Sequence, residues 1–224
     1  MSGGSDVMTA PAMEYCPPNV TLSEFWVNHG VSLCLMETIF SSLQVGWMIL
    51  LGSVQYLYFR KHGSPRDLSL RPPSKLYSFQ LFLHVLFPLL SVAQIFIVLA
   101  EGGLIYGYMV LSLASTAVAW PLALLLLTQE RRSILPTIPT PGHGLVLLVF
   151  WTITLVKENL AFINIKNVHW WFILKSHMDE AAMAIFVIRY GAALCIFFLG
   201  LKAPGIANTP PGARLLEDRQ NVSL

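Results

Sequence analysis

Two hydrophobic stretches of the sequence carry ionisable side chains, and these residues are the first candidates for chemistry. Lys157, Glu158 and Asn159 interrupt the apolar run 144–165, and Arg189 interrupts the next apolar run along the chain. A charge inside a lipid bilayer is costly, so it normally pairs with an opposite charge or lines a water-filled path. The residue types therefore fit either a structural ion pair or a relay for protons or substrate.

Glu158 and Arg189 are expected to lie at the same depth in the membrane. Their two runs are consecutive and antiparallel, and both residues lie about 10 Å below the same surface at the rise of an α-helix. Equal depth favours an ion pair that fixes the rotation of the two helices, because relays usually need a chain of such groups. Lys157 points about 100° away from Glu158, and it either extends outward to the surface or joins the pair.

The segment between these two runs holds a second group of candidates. His169 and His177 flank a short loop that also contains Trp170 and Trp171, with Asp179 and Glu180 following. Histidines and carboxylates can hold a divalent metal, so ligation of such a metal is one interpretation. The spacing matches no specific metal signature, and paired tryptophans are typical of an interfacial aromatic belt. Ordinary surface residues are therefore the favoured interpretation, and we expect no resident metal.

Other reaction classes find little support in the sequence. A phosphate loop would end in Gly-Lys-Ser/Thr, and no such motif occurs, so we expect this chain to be no enzyme and to bind no cofactor. His84 is the only histidine well inside an apolar run, which argues against paired haem ligands. A net charge of +2 gives no reason to expect a nucleic-acid partner.

Composition and hydropathy predict an all-α membrane protein. The chain has 224 residues, of which 55% are hydrophobic and 12% are charged, about half the charged fraction of a soluble domain. A spanning helix needs roughly 20 mostly apolar residues, and five segments qualify. The predicted spans are residues 33–59, 79–100, 106–127, 144–165 and 183–201.

The distribution of Lys and Arg predicts the orientation of this five-helix bundle. Ten of them lie in residues 60–75, 128–143 and 202–224, whereas only Lys166 and Lys175 lie in the segments on the other side. Positive residues are enriched in cytoplasmic loops, so the amino terminus is expected to be lumenal or extracellular and the carboxyl terminus cytosolic. The predicted parts are a retained lumenal tail (1–32), a transmembrane domain (33–201) and a cytosolic linker (202–224).

The predicted lumenal side also carries two features of secreted chains. Asn19 begins an Asn-Val-Thr acceptor site for N-glycosylation. Cys16 and Cys34 lie on the same side, where disulfides persist. Either a bridge that ties the tail to the first helix or two free thiols fits the sequence.

Nearly the whole chain resembles a known family, and the most specific motifs of the resemblance lie in its last third. The segments 151–172 and 187–205, together with the Cys16–Cys34 spacing, look like the amino-terminal accessory transmembrane domain of ABC transporters. The match is to subfamily B half-transporters of the porphyrin and heavy-metal-tolerance type. Its most specific residues are Trp151, Glu158-Asn159-Leu160, Trp170-Trp171, Arg189-Tyr190 and Ala203-Pro204-Gly205.

This resemblance implies a function for the chain. It implies an accessory domain that acts in endolysosomal targeting and assembly of an ATP-driven exporter of porphyrins or heavy-metal conjugates, rather than in transport. The implied partners are membrane lipid and a transporter core that forms a homodimer, and ATP and Mg would bind a nucleotide-binding domain absent from this sequence. An endolysosomal or vacuolar membrane is implied first, and the plasma or outer mitochondrial membrane second. Two alternatives remain: direct porphyrin or metal capture by the lumenal loops, and a free-standing receptor-like membrane protein.

Overall fold

Among the residues that the structure describes, five helical segments are long and apolar enough to cross a membrane. A computed structural model describes residues 14–18, 26–27, 30–65, 74–134, 143–168 and 177–202. Its candidate spans are Leu33–His62, Lys75–Ala100, Gly107–Arg132, Leu145–Lys166 and Asp179–Lys202. The predicted all-α fold with five spans is confirmed, and the chain is a multi-pass membrane protein.

Six helices build these spans, because the first span contains a wider turn. The helices are α1 (Leu33–Trp47), α2 (Ser53–His62), α3 (Lys75–Ala100), α4 (Gly107–Arg132), α5 (Leu145–Val168) and α6 (His177–Lys202). A π-helical turn, Met48–Gly52, joins α1 to α2. Helices α3 and α6 begin several residues before their predicted apolar runs, because polar residues continue a helix beyond the part that hydropathy detects.

The helices pack as a closed ring. Going around it, α1 contacts α4, α4 contacts α3, α3 contacts α6, α6 contacts α5, and α5 returns to α1. Aromatic rings fill the centre: Phe87 stacks on Trp120 with centroids 4.3 Å apart, and Phe150 meets the same indole edge-on. Side chains of all five spans therefore face one shared interior.

The two ends of the bundle differ in their connections. The end with residues 14–18 and the α3–α4 turn is called the tail end; Gly102 in that turn has a φ of 70°, which favours glycine. The opposite end, where α2 and α4 end and α3 begins, is called the basic end. Two short antiparallel ladders complete the fold: β1 (Trp26–Val27) pairs with β2 (Gly30–Val31), and β3 (Ser64–Pro65) pairs with β4 (Ser133–Ile134).

Residues 14–18 are fixed to the tail end by covalent and hydrogen bonds. A disulfide joins Cys16 to Cys34 at the start of α1. The backbone N–H groups of Gly107 and Tyr108 donate to the carbonyl oxygens of Glu14 and Tyr15, at 3.0 and 3.2 Å. These N–H groups belong to the first turn of α4, where an N–H has no acceptor within the helix. The tail therefore links the starts of α1 and α4.

The close contact between α5 and α6 depends on a glycine. A Cβ atom at Gly200 would collide with the ring of the buried Trp151, whereas a Cβ at Gly191 on the same helix would meet nothing within 4 Å. We expect Gly200→Ala to destabilise the bundle by about 1–3 kcal/mol, the usual cost of overpacking. Gly191→Ala is the matched control, and better helix propensity should leave it neutral or slightly stabilising. Thermal unfolding in detergent measures both, and equal unfolding temperatures would contradict the packing argument.

Candidate functional site

An ion pair connects α5 to α6 in the half of the bundle near the tail end. Arg189 Nε donates to Glu158 Oε2 at 3.0 Å, and Arg189 Nη1 donates to Gln94 Oε1 of α3 at 2.5 Å. The Glu158 side chain is 2% exposed and that of Arg189 is 11% exposed. One position further along each helix, the Tyr190 hydroxyl donates to Asn159 Oδ1 at 3.0 Å. Two adjacent polar pairs therefore fix the register of α5 against α6.

Lys157 has a partner of its own, which the sequence pattern did not predict. Its Nζ lies 2.6 Å from Oε2 of Glu37 on α1, and it also donates to the hydroxyls of Ser41 and Ser112. Ser112 of α4 in turn donates to Glu37 at 2.7 Å. Lys157 is buried, so the interpretation that it extends outward to the surface is wrong.

These two pairs form one cluster, hereafter the charge cluster, of Glu37, Lys157, Glu158 and Arg189. Its formal charge is zero, and with Gln94 and Ser112 it has a member on each of the five spans. Glu37 could have been found from the sequence, because it is a carboxylate one turn inside the first span. It was missed because charges near the end of a span are inexpensive and therefore unremarkable.

Two cavities adjoin the charge cluster. The larger, about 80 Å³, lies among α1, α3 and α4, and its lining includes Glu37, Gln94, Tyr108, Ser112 and Arg189. A smaller one, about 10 Å³, also reaches Lys157 and Glu158. A water molecule needs roughly 10–15 Å³ and two to four polar partners. The larger cavity therefore has room for several water molecules in contact with the charges.

A second buried polar network lies toward the basic end. His143 Nδ1 donates to Glu130 Oε2 at 2.7 Å, and the backbone N–H of Gly144 donates to Glu130 Oε1 at 2.9 Å. Both side chains are at most 2% exposed. This contact ties the start of α5 to the end of α4. No sequence pattern indicates it, because Glu130 and His143 lie 13 residues apart and near the ends of two different spans.

His84 and Trp151 form a further buried contact, between α3 and α5. Trp151 Nε1 donates to His84 Nε2 at 3.1 Å, and His84 Nδ1 lies 2.7 Å from the carbonyl oxygen of Gln80. An indole N–H can only donate and a carbonyl can only accept, so His84 is neutral with its proton on Nδ1. Both ring nitrogens are occupied, which leaves neither free to ligate a metal or haem.

The remaining predicted site residues lie beyond the described part of the chain. Asn19, His169, Trp170 and Trp171 lie outside it, and His177 begins α6 with its side chain outside it. Within the described residues, no group of three or more His, Cys, Asp or Glu side chains is placed to hold a metal ion.

The fold and the sequence agree with one protein family over nearly the whole chain. The sequence model of the mitochondrial ABC-transporter N-terminal five-transmembrane region matches residues 14–223. The chain belongs to this family. As a member of the N-terminal five-transmembrane region family, it carries the charge cluster within the matched residues.

Relatives of this N-terminal five-transmembrane region agree. The chain is 32% identical over 209 residues to ATP-binding cassette sub-family B member 6 of Xenopus tropicalis, covering 93% of this chain and 25% of that protein. The proteins of the same name from Mus musculus and Homo sapiens are 28% and 25% identical, and the match covers 93% of this chain and 26% of each relative. The chain spans about a quarter of the length of the curated relatives it matches.

Proposed function

We propose that this chain is the accessory amino-terminal transmembrane domain of an ATP-driven exporter and acts in its endolysosomal targeting and assembly. The observation that carries the proposal is the charge cluster. Its four charges neutralise one another across helices, as suits a scaffold of fixed shape, whereas a relay would need further titratable groups along a path. The Glu158–Arg189 contact is, on this proposal, a structural ion pair.

The proposal includes an orientation and a set of partners. The tail end is lumenal, which suits the disulfide at Cys16 and Cys34 and glycosylation at Asn19, and the basic end is cytosolic. The partners are membrane lipid and a transporter core, through which two copies associate as a homodimer. ATP and Mg bind in the nucleotide-binding domain of the parent protein, which moves porphyrins or heavy-metal conjugates. An endolysosomal or vacuolar membrane is the proposed destination.

Imaging tests the targeting role. Residues 1–224 fused to a fluorescent protein are expected to reach endolysosomal membranes without any transporter core. A folding defect would also retain the fusion in the endoplasmic reticulum, so its size-exclusion profile is measured in parallel. Arg189→Ala serves as a misfolded control. A monodisperse wild-type fusion that stays in the endoplasmic reticulum would contradict the proposal.

Direct capture of a porphyrin or metal by the lumenal loops is the second candidate. The cavity at the charge cluster is too small to be the binding site for a porphyrin. Its volume is about 80 Å³, whereas pockets that bind small molecules have volumes of roughly 300 Å³ or more. His169, His177, Trp170 and Trp171 remain the candidates. Titration with haemin and with zinc tests them, and unchanged binding by a His169→Ala/His177→Ala variant would remove the histidines from consideration.

A further inference from the structure

The basic end holds two helix ends unusually close together. The ladder pairs Ser64 with Ile134 and Pro65 with Ser133, immediately after α2 and α4 end. A Cβ atom at Gly63 would collide with the Phe59 carbonyl oxygen and approach Ser133 Cβ to 2.7 Å. Only glycine allows this approach without a shift, so the ends of α2 and α4, each with basic residues in its last turn, lie next to each other.

A third helix end joins them. The guanidinium carbon of Arg131, at the end of α4, lies 4.7 Å from the ring centroid of Tyr77 on α3. Lys75 is the first residue of α3, two positions before that ring. The resulting surface, hereafter the basic patch, consists of Arg60, Lys61, Lys75, Arg131 and Arg132.

Four side chains of the basic patch are exposed, whereas the nearby acidic group is buried. Arg60, Lys61, Lys75 and Arg132 are exposed. Glu130 is 3% exposed, and its carboxylate accepts hydrogen bonds from His143 and from the backbone N–H of Gly144. Among the described residues at the basic end, no exposed Asp or Glu offsets the patch. The four exposed side chains therefore place positive charge where an anionic partner can reach it.

Exposed apolar side chains adjoin the basic patch. Leu57 and Tyr58 precede Arg60 by less than one turn, and Leu76 follows Lys75; all three are exposed, by 61%, 44% and 52%. In a spanning helix such residues face acyl chains, and the charges beyond them lie at the level of the headgroups. A soluble phosphate would use only the charges, whereas a phospholipid matches both the charges and the apolar surface beside them.

We propose that the basic patch is a binding site for anionic phospholipids, with the lipid phosphate between the ends of α2 and α4 and the start of α3. Arg and Lys near an anionic membrane surface each strengthen association by roughly fivefold. Removing two of the exposed charges is therefore expected to weaken binding by about 30-fold. This site goes beyond the proposed targeting role and does not depend on it.

Lipid titration of the purified 224-residue chain tests the site. In neutral detergent, native mass spectrometry counts bound short-chain phosphatidylserine, with phosphatidylcholine as the zwitterionic reference. We expect the wild type to prefer phosphatidylserine, less so at high salt, and Lys61→Gln/Arg132→Gln to lose about 30-fold in affinity. Both replaced side chains are exposed, so the variant should keep the wild-type size-exclusion profile.

Two controls and one competitor make the outcome decisive. Lys61→Arg/Arg132→Lys keeps both charges of the patch and should bind the lipid as the wild type does. Lys166→Gln removes a charge from the opposite end of the bundle and should also leave lipid binding unchanged. Equal binding by Lys61→Gln/Arg132→Gln, or an equal loss in either control, overturns the proposal. Full displacement of the lipid by an equal concentration of inorganic phosphate overturns the assignment of the site to a phospholipid.

Discussion

Arg189→Ala is expected to destabilise the folded bundle by about 3–5 kcal/mol, the usual cost of removing one member of a buried ion pair. The substitution leaves Glu158 buried without its partner and frees Gln94 from its contact with α6. In cells, we expect the variant to accumulate in the endoplasmic reticulum; in detergent, its unfolding temperature should fall by several degrees. Normal maturation together with an unchanged unfolding temperature would refute a structural role for the pair.

The two members of this pair should not be equivalent. A carboxylic acid exists in a neutral form, whereas an arginine keeps its charge in proteins. Glu158→Ala, which leaves a permanent charge buried, is therefore expected to destabilise more than Arg189→Ala. Ile188→Ala is the control for changes on the same helix, because Ile188 is 49% exposed and faces away from the charge cluster. If Ile188→Ala reduced stability as much as Arg189→Ala, the loss would reflect a general sensitivity of α6 to truncation and not the ion pair.

The number of residues between each charge and the end of its span explains why part of the charge cluster could be predicted from the sequence. Glu158 and Arg189 lie on consecutive spans, so equal depth alone implies that they can meet. Lys157 meets Glu37 of a helix far away in the sequence, and this contact requires the ring order, in which α1 lies beside α5. Hydropathy gives the number of spans but not which spans are neighbours.

The small polar residues of the charge cluster could not be predicted from the sequence, for a different reason. Ser41, Ser112 and Gln94 complete the hydrogen bonds of the charge cluster, yet serine and glutamine within apolar runs are common and signal nothing alone. The contact of Glu130 with His143 likewise depends on how the end of α4 and the start of α5 pack against each other. The fold class and the span count follow from local composition, whereas the remainder of the site depends on tertiary packing.

The contact between Lys157 and Glu37 provides a prediction in which two substitutions should be less harmful than one. Glu37→Gln alone leaves the Lys157 ammonium buried near Arg189, and Lys157→Met alone leaves the Glu37 carboxylate without its cation. Each single variant should lose about 3–5 kcal/mol, as expected when one partner of a buried pair is removed. The double variant removes both charges at nearly constant volume, and the amide introduced at position 37 would still accept from Ser112. It should therefore be more stable than either single variant.

A double-mutant cycle on thermal unfolding measures this coupling. Because the double variant is expected to lose less than either single variant, the interaction energy should exceed the larger single loss, about 3–5 kcal/mol, which is above the roughly 0.5–3 kcal/mol usual for residues in contact. Val156→Ala paired with Glu37→Gln gives the reference cycle, since Val156 precedes Lys157 on α5 and is 42% exposed. Additive losses in both cycles would mean that the charges act independently. Coupling only in the Glu37–Lys157 cycle would mean that α1 is held to α5 by charge, and that Lys157 serves the packing of helices distant in sequence.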